Sequence, residues 1–404
     1  MHHKGHHLTY CTNIHPGESW ESTFDNLKNF IPGIKERISK NQAFGIGLRS
    51  SHEASLELSK TGKIEEFKKW LEENDCYVFT FNGFPYGGFH RQVVKDEVHQ
   101  PDWTTPERFA YTSRLFDILS ALIPDGLDGG ISTSPLSYRH WHAGAHKLDE
   151  ALKKSTLNLA AIAEKLFLIQ QNSGKILHLD IEPEPDGILE NTQEVIDFYK
   201  DWLVPLGGKY LMERLGLSLE EAEKALKEHI RICYDVCHFA VVYEKAEDVF
   251  KAFEAEGIKV GKIQISAALK ADIPLGKKER KELESMIAPF SESTYLHQVV
   301  AKDEKGKSTS FTDLPEALKT LETTEALQWR IHYHVPIFLS DYGKISSTQN
   351  DIIEVLNYIS SSKVCNHLEV ETYTWEVLPK GINLDLGSSI VRELQWVLEN
   401  SHIS

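Results

Sequence analysis

A chain of 404 residues with 41% apolar and 26% charged residues has the composition of a folded globular protein, not of a disordered one. Its formal charge of −16 repels phosphate backbones, which disfavours nucleic-acid binding and leaves a small-molecule metabolite or a metal cation as the expected partner. No run approaches the ~20 apolar residues of a membrane span, and the five cysteines are scattered without a Cys-x-x-Cys pair, so a cytoplasmic protein without a disulfide framework is expected.

In chain order, four early histidines (His2, His3, His6, His7) fit either a natural metal-binding tuft or a tag remnant, and receive no role. Leu8 to Asn13 reads as a first strand, and Phe24 to Ile38 as a helix that Pro32-Gly33 can split. Phe44 to Arg49 and Tyr77 to Asn82 read as strands around a helix from Ile64 to Glu73. An aromatic, glycine-rich loop, Gly83 to His90, follows. Thr105 caps a helix opened by Pro106 and lasting to Leu122.

Gly130 to Ser134 is the fourth strand, and Leu148 to Gln171 the next helix. The stretch Lys175 to Gly187 puts Leu177, Leu179 and Ile181 on one strand face and His178, Asp180, Glu182 and Glu184 on the other. Pro183 and Pro185 cannot donate to a sheet ladder, so pairing stops there and leaves carboxylates at the strand's C-terminal end. Helices follow at Thr192 to Leu203 and at Ser218 to Glu228, the latter opened by a Ser-x-x-Glu capping box.

Arg231 to His238 and Gly261 to Ser266 repeat the alternation on either side of a helix from Ala246 to Glu256. Residues 290–315 read as a hairpin insertion around a charged turn. Arg330 to Pro336 places His332 and His334 on one face. Helix Thr348 to Ile359, strand Asn366 to Trp375 and helix Ser388 to Glu399 close the chain.

Strands alternating with helices predict a parallel α/β sheet closed into a TIM (β/α)8 barrel, one decorated domain spanning 1–404. The runs give one strand more than eight, so the His-x-His segment is expected as a rim strand or loop. An open doubly wound sheet is the alternative, but no Gly-x-Gly-x-x-Gly or P-loop supports nucleotide binding.

Glu182, Asp235, Gln264 and Glu371 fall at the C-terminal ends of different strands, joined by His238, His334 and His332. Side chains there converge on one barrel mouth. Carboxylates so close repel unless protonated or neutralised, and a divalent cation accounts for the group economically. The competing account is a set of solvated strand ends or an ion-pair network. Gln264 is a weak oxygen ligand, which favours Mg or Mn over a tight Zn cage. Trp141, beside His140 and His142, can stack on a sugar, and Arg49, Asn82, Tyr86 and His297 can line a pocket. No Gly-x-Ser-x-Gly elbow points to acyl transfer.

At Glu182, Asp235-x-x-His238 and Val370-Glu371-Thr372 the sequence resembles the xylose-isomerase-like, or sugar phosphate isomerase/epimerase, barrel superfamily. More closely, Leu8-Thr-Tyr-Cys-Thr-Asn-Ile-His-Pro-Gly-Glu18, Phe84-Pro-Tyr-Gly87, Glu182-Pro-Glu-Pro185, His332-Tyr-His-Val-Pro336 and His367-Leu-Glu-Val-Glu-Thr-Tyr-Thr-Trp375 resemble the EboE family, described as metabolite traffic proteins. The resemblance implies metal ligands at Glu182, Asp235, Gln264 and Glu371, with His238 near substrate or a second metal. It also implies proton exchange by Glu182 and Glu371 beside a carbonyl. Histidine commonly stands where this chain has Gln264, a departure that bears on metal affinity and catalysis. His334 and His332 match the histidine region of a multinuclear, phosphoester-cleaving branch.

The resulting expectation is a divalent-metal-dependent (Mn, Mg or Zn) isomerase- or epimerase-like enzyme for a small polyhydroxylated or carbonyl metabolite. Glu182, Glu371 and His238 would be catalytic, and His142, Trp141, Arg49 and His297 would bind substrate. The alternatives are a metal-dependent phosphoester hydrolase and a non-catalytic metabolite-binding barrel.

Overall fold

The structure is a computed structural model and describes residues 1–88, 93–376 and 385–401. Phe89 and His90, at the end of the expected aromatic loop, lie outside the described residues. Eight parallel strands run through the chain: β1 (His6–Tyr10), β2 (Phe44–Arg49), β3 (Cys76–Asn82), β4 (Gly129–Thr133), β5 (Leu177–Ile181), β6 (Ile230–Asp235), β7 (Val260–Ile265) and β8 (His367–Val370). Each pairs in parallel with its neighbour from β2 round to β8, and β8 pairs with β1.

The seam between β1 and β2 closes through one parallel bridge, Cys11 to Gly47. Threonine hydroxyls complete it: Thr9 Oγ1 donates to Gly45 O at 2.8 Å, and Arg49 N donates to Thr12 Oγ1 at 2.8 Å. With helices outside, this is a TIM barrel.

The two faces of each strand explain the layers. Leu177, Leu179 and Ile181 are fully buried against the outer helices, while His178 and Asp180 point into the barrel. Strand β5 ends at Ile181, just before the two prolines. The capping signals hold: Thr105 Oγ1 accepts from Arg108 N, and the Ser218–Glu221 box is reciprocal. Pro32-Gly33 does not split its helix, which runs unbroken over Trp20–Ile38. Both residues face solvent while Ile31 and Ile34 are buried, so core packing overrides the lost hydrogen bond.

The expected hairpin, Val299–Asp303 with Ser308–Phe311, belongs to a larger antiparallel sheet lying between β7 and β8 in the chain. Its order is Ser308–Phe311, Val299–Asp303, Ala326–Ile331, Leu269–Asp272, Ser346–Ser347. The strand Ala326–Ile331 stops before His332, and the His-x-His segment is an irregular connection tied to the barrel by Val335 N donating to Ala267 O. His2–His3 pairs back on β1 as a short antiparallel strand. All five cysteines are free, and among the described residues no helix is long and apolar enough to cross a membrane.

Glycines make room inside the barrel. A Cβ on Gly261 would overlap Asp180 Oδ1, and one on Gly130 would overlap Asp180 Oδ2. Gly261→Ala is therefore expected to cost roughly 1–3 kcal/mol by overpacking. Urea unfolding checks this, and a midpoint equal to that of the parent chain would refute it.

Candidate functional site

Barrel geometry delivers Glu182, Asp235 and Glu371 to the same mouth because each stands at or just past a strand's last residue. Glu182 N donates to Thr133 O at 2.9 Å, and Glu371 N donates to Ile265 O at 3.1 Å, so neighbouring strands fix both backbones. One carboxylate oxygen from each of Glu182, Asp235 and Glu371 lies within 4.8 Å of the others, and all three residues are buried. Asp235 Oδ1 accepts from His238 N at 3.0 Å, capping the helix Val236–Val241, and from Ser266 Oγ at 2.7 Å. Its Oδ2 has no hydrogen-bond partner, and neither has Glu182 Oε2.

The histidines are oriented as a set. His238 Nδ1 lies 3.0 Å from Pro183 O, His334 Nδ1 lies 2.9 Å from Glu371 O, and His332 Nδ1 lies 2.8 Å from Gln298 Oε1. An oxygen of this kind only accepts, so each Nδ1 carries the proton and each Nε2 presents a lone pair. His238 Nε2 and His334 Nε2 stand 3.4 Å apart, with Asp235 oxygens 3.9 Å from each. Lone pairs and a carboxylate facing one another repel unless a cation lies among them. Two imidazoles on one tetrahedral ion at ~2.0–2.1 Å would sit about 3.3 Å apart, so the donor set fits a divalent metal.

Four donor sets adjoin: Glu182, Asp235, Glu371; Asp235, His238, His334; Glu184, His238, His332; and Cys237, His332, His334. Asp235 belongs to two of them and His238 to two. Gln264 is wholly buried in the wall opposite Asp235 in register, and neither atom of its amide has a hydrogen-bond partner. A bound cation would satisfy its oxygen.

Electrostatics say the same. Burial, then the charges of Glu371 and Asp235, holds the Glu182 carboxyl well above its usual range. Burial, then Asp235, does so for Glu371 and Glu184. Burial pushes His238 down to about 4 and His332 well below its ordinary value. Burial and mutual repulsion thus penalise negative charge on these carboxyls, a cost that a dication among them would offset.

The cavity above is narrow, about 80 Å³. At roughly 10–15 Å³ per water it admits a small solute but no macromolecule. Its walls include Phe84, Leu296, Tyr295 and Tyr373, with Lys95 and His99 among the polar groups.

The structure gathers Glu182, Asp235, Gln264, Glu371, His238, His332 and His334 around this mouth. It does not bring the four substrate-binding candidates to the cavity wall. Arg49 is paired with Glu18 at 3.0 Å and with the carbonyls of Gly17 and Gly87. His142 bonds Ser137 Oγ, and Trp141 Nε1 donates to Asp96. His297 stands behind His332, its ring nitrogens facing His332 O and Glu292. Asn82, read as a pocket residue, does reach the site: its Nδ2 donates to Glu371 Oε1 at 2.9 Å, alongside Asn13 Nδ2 at 2.7 Å. Asn13 was not foreseen, although an amide just past β1 follows the same strand-end rule. Glu184, on the same strand face as Glu182, faces His99 at 3.2 Å and closes the third donor set.

A closed eight-stranded α/β barrel with a carboxylate- and histidine-lined C-terminal mouth defines a TIM barrel with a candidate metal site at that mouth. Solved structures similar to the chain include xylose isomerase-like TIM barrels. One is a xylose isomerase-like TIM barrel protein from Mycobacterium smegmatis in complex with magnesium, with 10% identity, all of both chains covered and a TM-score of 0.49. Another is the IOLI protein with a binding zinc atom, with 10% identity, 98% of this chain and 97% of that one covered, and a TM-score of 0.45. A xylose isomerase domain protein from Alicyclobacillus acidocaldarius subsp. acidocaldarius has 7% identity, 98% and 99% coverage, and a TM-score of 0.46. No protein-family model matches the sequence, and no curated protein matches it.

Proposed function

We propose that the chain is a divalent-metal-dependent isomerase- or epimerase-like enzyme acting on a small polyhydroxylated or carbonyl metabolite, and that it is a cytoplasmic member of the EboE family of metabolite traffic proteins. The observation that carries this reading is the convergence of Glu182, Asp235 and Glu371 beneath a cavity sized for a small solute. The metal would be held by Glu182, Asp235, Gln264 and Glu371, with His238 and His334 beside them. Bound there, a divalent ion supplies polarisation of a carbonyl or hydroxyl oxygen.

The chain's own groups do the rest. Glu182 and Glu371, carboxyls carried by two different strands to the same mouth, suit removal of a proton by one and its return by the other. Asn13 and Asn82 fix one oxygen of Glu371, leaving the other to face the cavity chemistry. Tyr373, Tyr295 and Phe84 limit water. Metal content and turnover on a panel of aldoses, ketoses and keto-polyols are the test. Glu182→Gln and Glu371→Gln are each expected to lower turnover by at least 10²-fold, the low end of an acid–base contribution. Unchanged metal and turnover in both would sink the proposal.

A second reading, metal-assisted phosphoester hydrolysis, draws on the overlapping sets that share Asp235 and His238. Anomalous scattering from two or more ions touching His334 would favour it. A single ion bound without His334 would count against it.

A further inference from the structure

The opposite end of the barrel carries an arrangement that the mouth chemistry does not use. Asp128 immediately precedes β4, His178 is the second residue of β5 and His367 the first of β8. All three therefore sit at the N-terminal floor. One ligand-type atom from each lies within 4.8 Å of the others. His178 and His367 are wholly buried, and the Asp128 side chain is 22% exposed.

The hydrogen-bond pattern is that of an oriented ligand set. His178 Nδ1 stands 2.6 Å from Asp180 Oδ1, so with a carboxylate accepting, Nδ1 holds the proton and Nε2 turns a lone pair inward. That Nε2 lies 3.6 Å from Asp128 Oδ2, and His367 Nε2 lies 3.4 Å from Asp128 Oδ1. Neither approach has hydrogen-bond alignment: His178 Nε2 and both ring nitrogens of His367 are buried without a hydrogen-bond partner. Gly130 and Gly261 keep the space the His178–Asp180 pair needs, since a Cβ on either would collide with it. Asp128 also opens onto a surface cleft beside Arg231 and Asn366, which gives an ion a route in.

We propose that Asp128, His178 and His367 form a second metal site at the floor of the barrel, with Asp180 as a positioning residue that fixes the His178 tautomer. Two imidazoles and one carboxylate select a zinc-like first-row dication over magnesium. The ion would tie β5 to β8, which are not neighbours in the sheet, and its remaining coordination position would face the cleft. The site stands apart from the mouth and does not rest on the function proposed for it.

Arg231 Nη1, 3.5 Å from Asp128 Oδ2, is the competing cation. If the floor is only an ion-pair network, zinc will not enter.

The direct experiment is a zinc-edge anomalous difference map from crystals of the full chain equilibrated with zinc. A peak among Asp128, His178 and His367 is expected, whether or not the mouth is filled. No peak there overturns the site. In solution, zinc per chain is measured in a His2→Asn/His3→Asn background, which removes the exposed terminal ligands. Adding Asp128→Asn is expected to remove one zinc equivalent, or weaken it at least tenfold, with millimolar magnesium unable to compete. Because Asp128 is partly exposed, this variant is expected to stay folded, as a cooperative thermal transition in chelator would show. Unchanged zinc stoichiometry and affinity in a folded Asp128→Asn protein would overturn the proposal. Should Asp128→Asn fail to fold, the wild-type map decides alone.

Discussion

Asp235→Asn is expected to weaken metal binding by on the order of 10²-fold or more, beyond the 10–100-fold typical of losing a group that only supports a ligand. The substitution keeps an oxygen to cap the helix Val236–Val241 but removes the charge shared by two adjoining donor sets. Isothermal titration with Mn and Zn measures the loss, and an affinity within threefold of the parent would sink the shared-ligand role. The same titrations carry a pH signature. Glu182, Glu184 and Glu371 are held above the ordinary carboxyl value, so from about pH 4 upward the unfolded chain gives up protons that the folded chain keeps. Their contribution is fully present below the unfolded carboxyl pKa and is lost as pH rises towards the folded one. These carboxyls by themselves make metal-free stability fall with rising pH, and because the metal displaces their protons the increase in Tm on adding metal should grow from pH 5 to 8. His238 is held at about 4 and is already neutral in the folded chain across that window, so the metal-induced shift belongs to the carboxyls, whereas metal-free stability also carries an opposite contribution from His238, whose unfolded imidazole titrates near ~6.5. A metal-induced shift independent of pH would contradict this account.

What the sequence shows of this molecule depends on how local each signal is. The strand alternation around Glu182, Asp235 and Glu371 is written in neighbouring residues, so the barrel and most mouth ligands can be read directly. The strands Leu269–Asp272 and Ser346–Ser347 cannot, because they are short and exist through pairing with partners distant in the chain. That is why the insertion reads as a hairpin and forms a five-stranded sheet. The helix His52–Leu58 is missed for its brevity, although Ser51 caps it. Trp141, His142, Arg49 and His297 fit a sugar pocket by residue type, yet each is committed to a partner elsewhere, which only the tertiary structure decides. His178 and Asp180 look like interior packing until Asp128 and His367, far away in the chain, are brought beside them.

Lys262→Met is expected to destabilise the metal-free chain by roughly 3–5 kcal/mol, the cost of removing one partner of a buried ion pair. Lys262 Nζ donates to Glu369 Oε2 at 2.7 Å, and both side chains are wholly buried inside the barrel. Its remaining contacts are Phe81 O at 3.2 Å and Ser132 Oγ at 3.3 Å, and among the described residues no other cation pairs with Glu369. Burial alone would lower the Lys262 pKa, but the Glu369 charge overrides it and keeps the ammonium protonated. Urea unfolding in chelator gives the cost, and a loss below about 1 kcal/mol would show the pair to be dispensable. Lys262→Met/Glu369→Leu, which removes both charges, should recover most of the loss. The same lysine also lowers the carboxyls of Glu182 and Glu371 above it. Without it the electrostatic potential at the mouth becomes more negative, so the single variant should gain more stability from added metal than the parent does, even though it starts from less. Lys262 thus sets how far the mouth can be acidic in the absence of an ion, and the opposite signs of the two effects separate that role from simple packing.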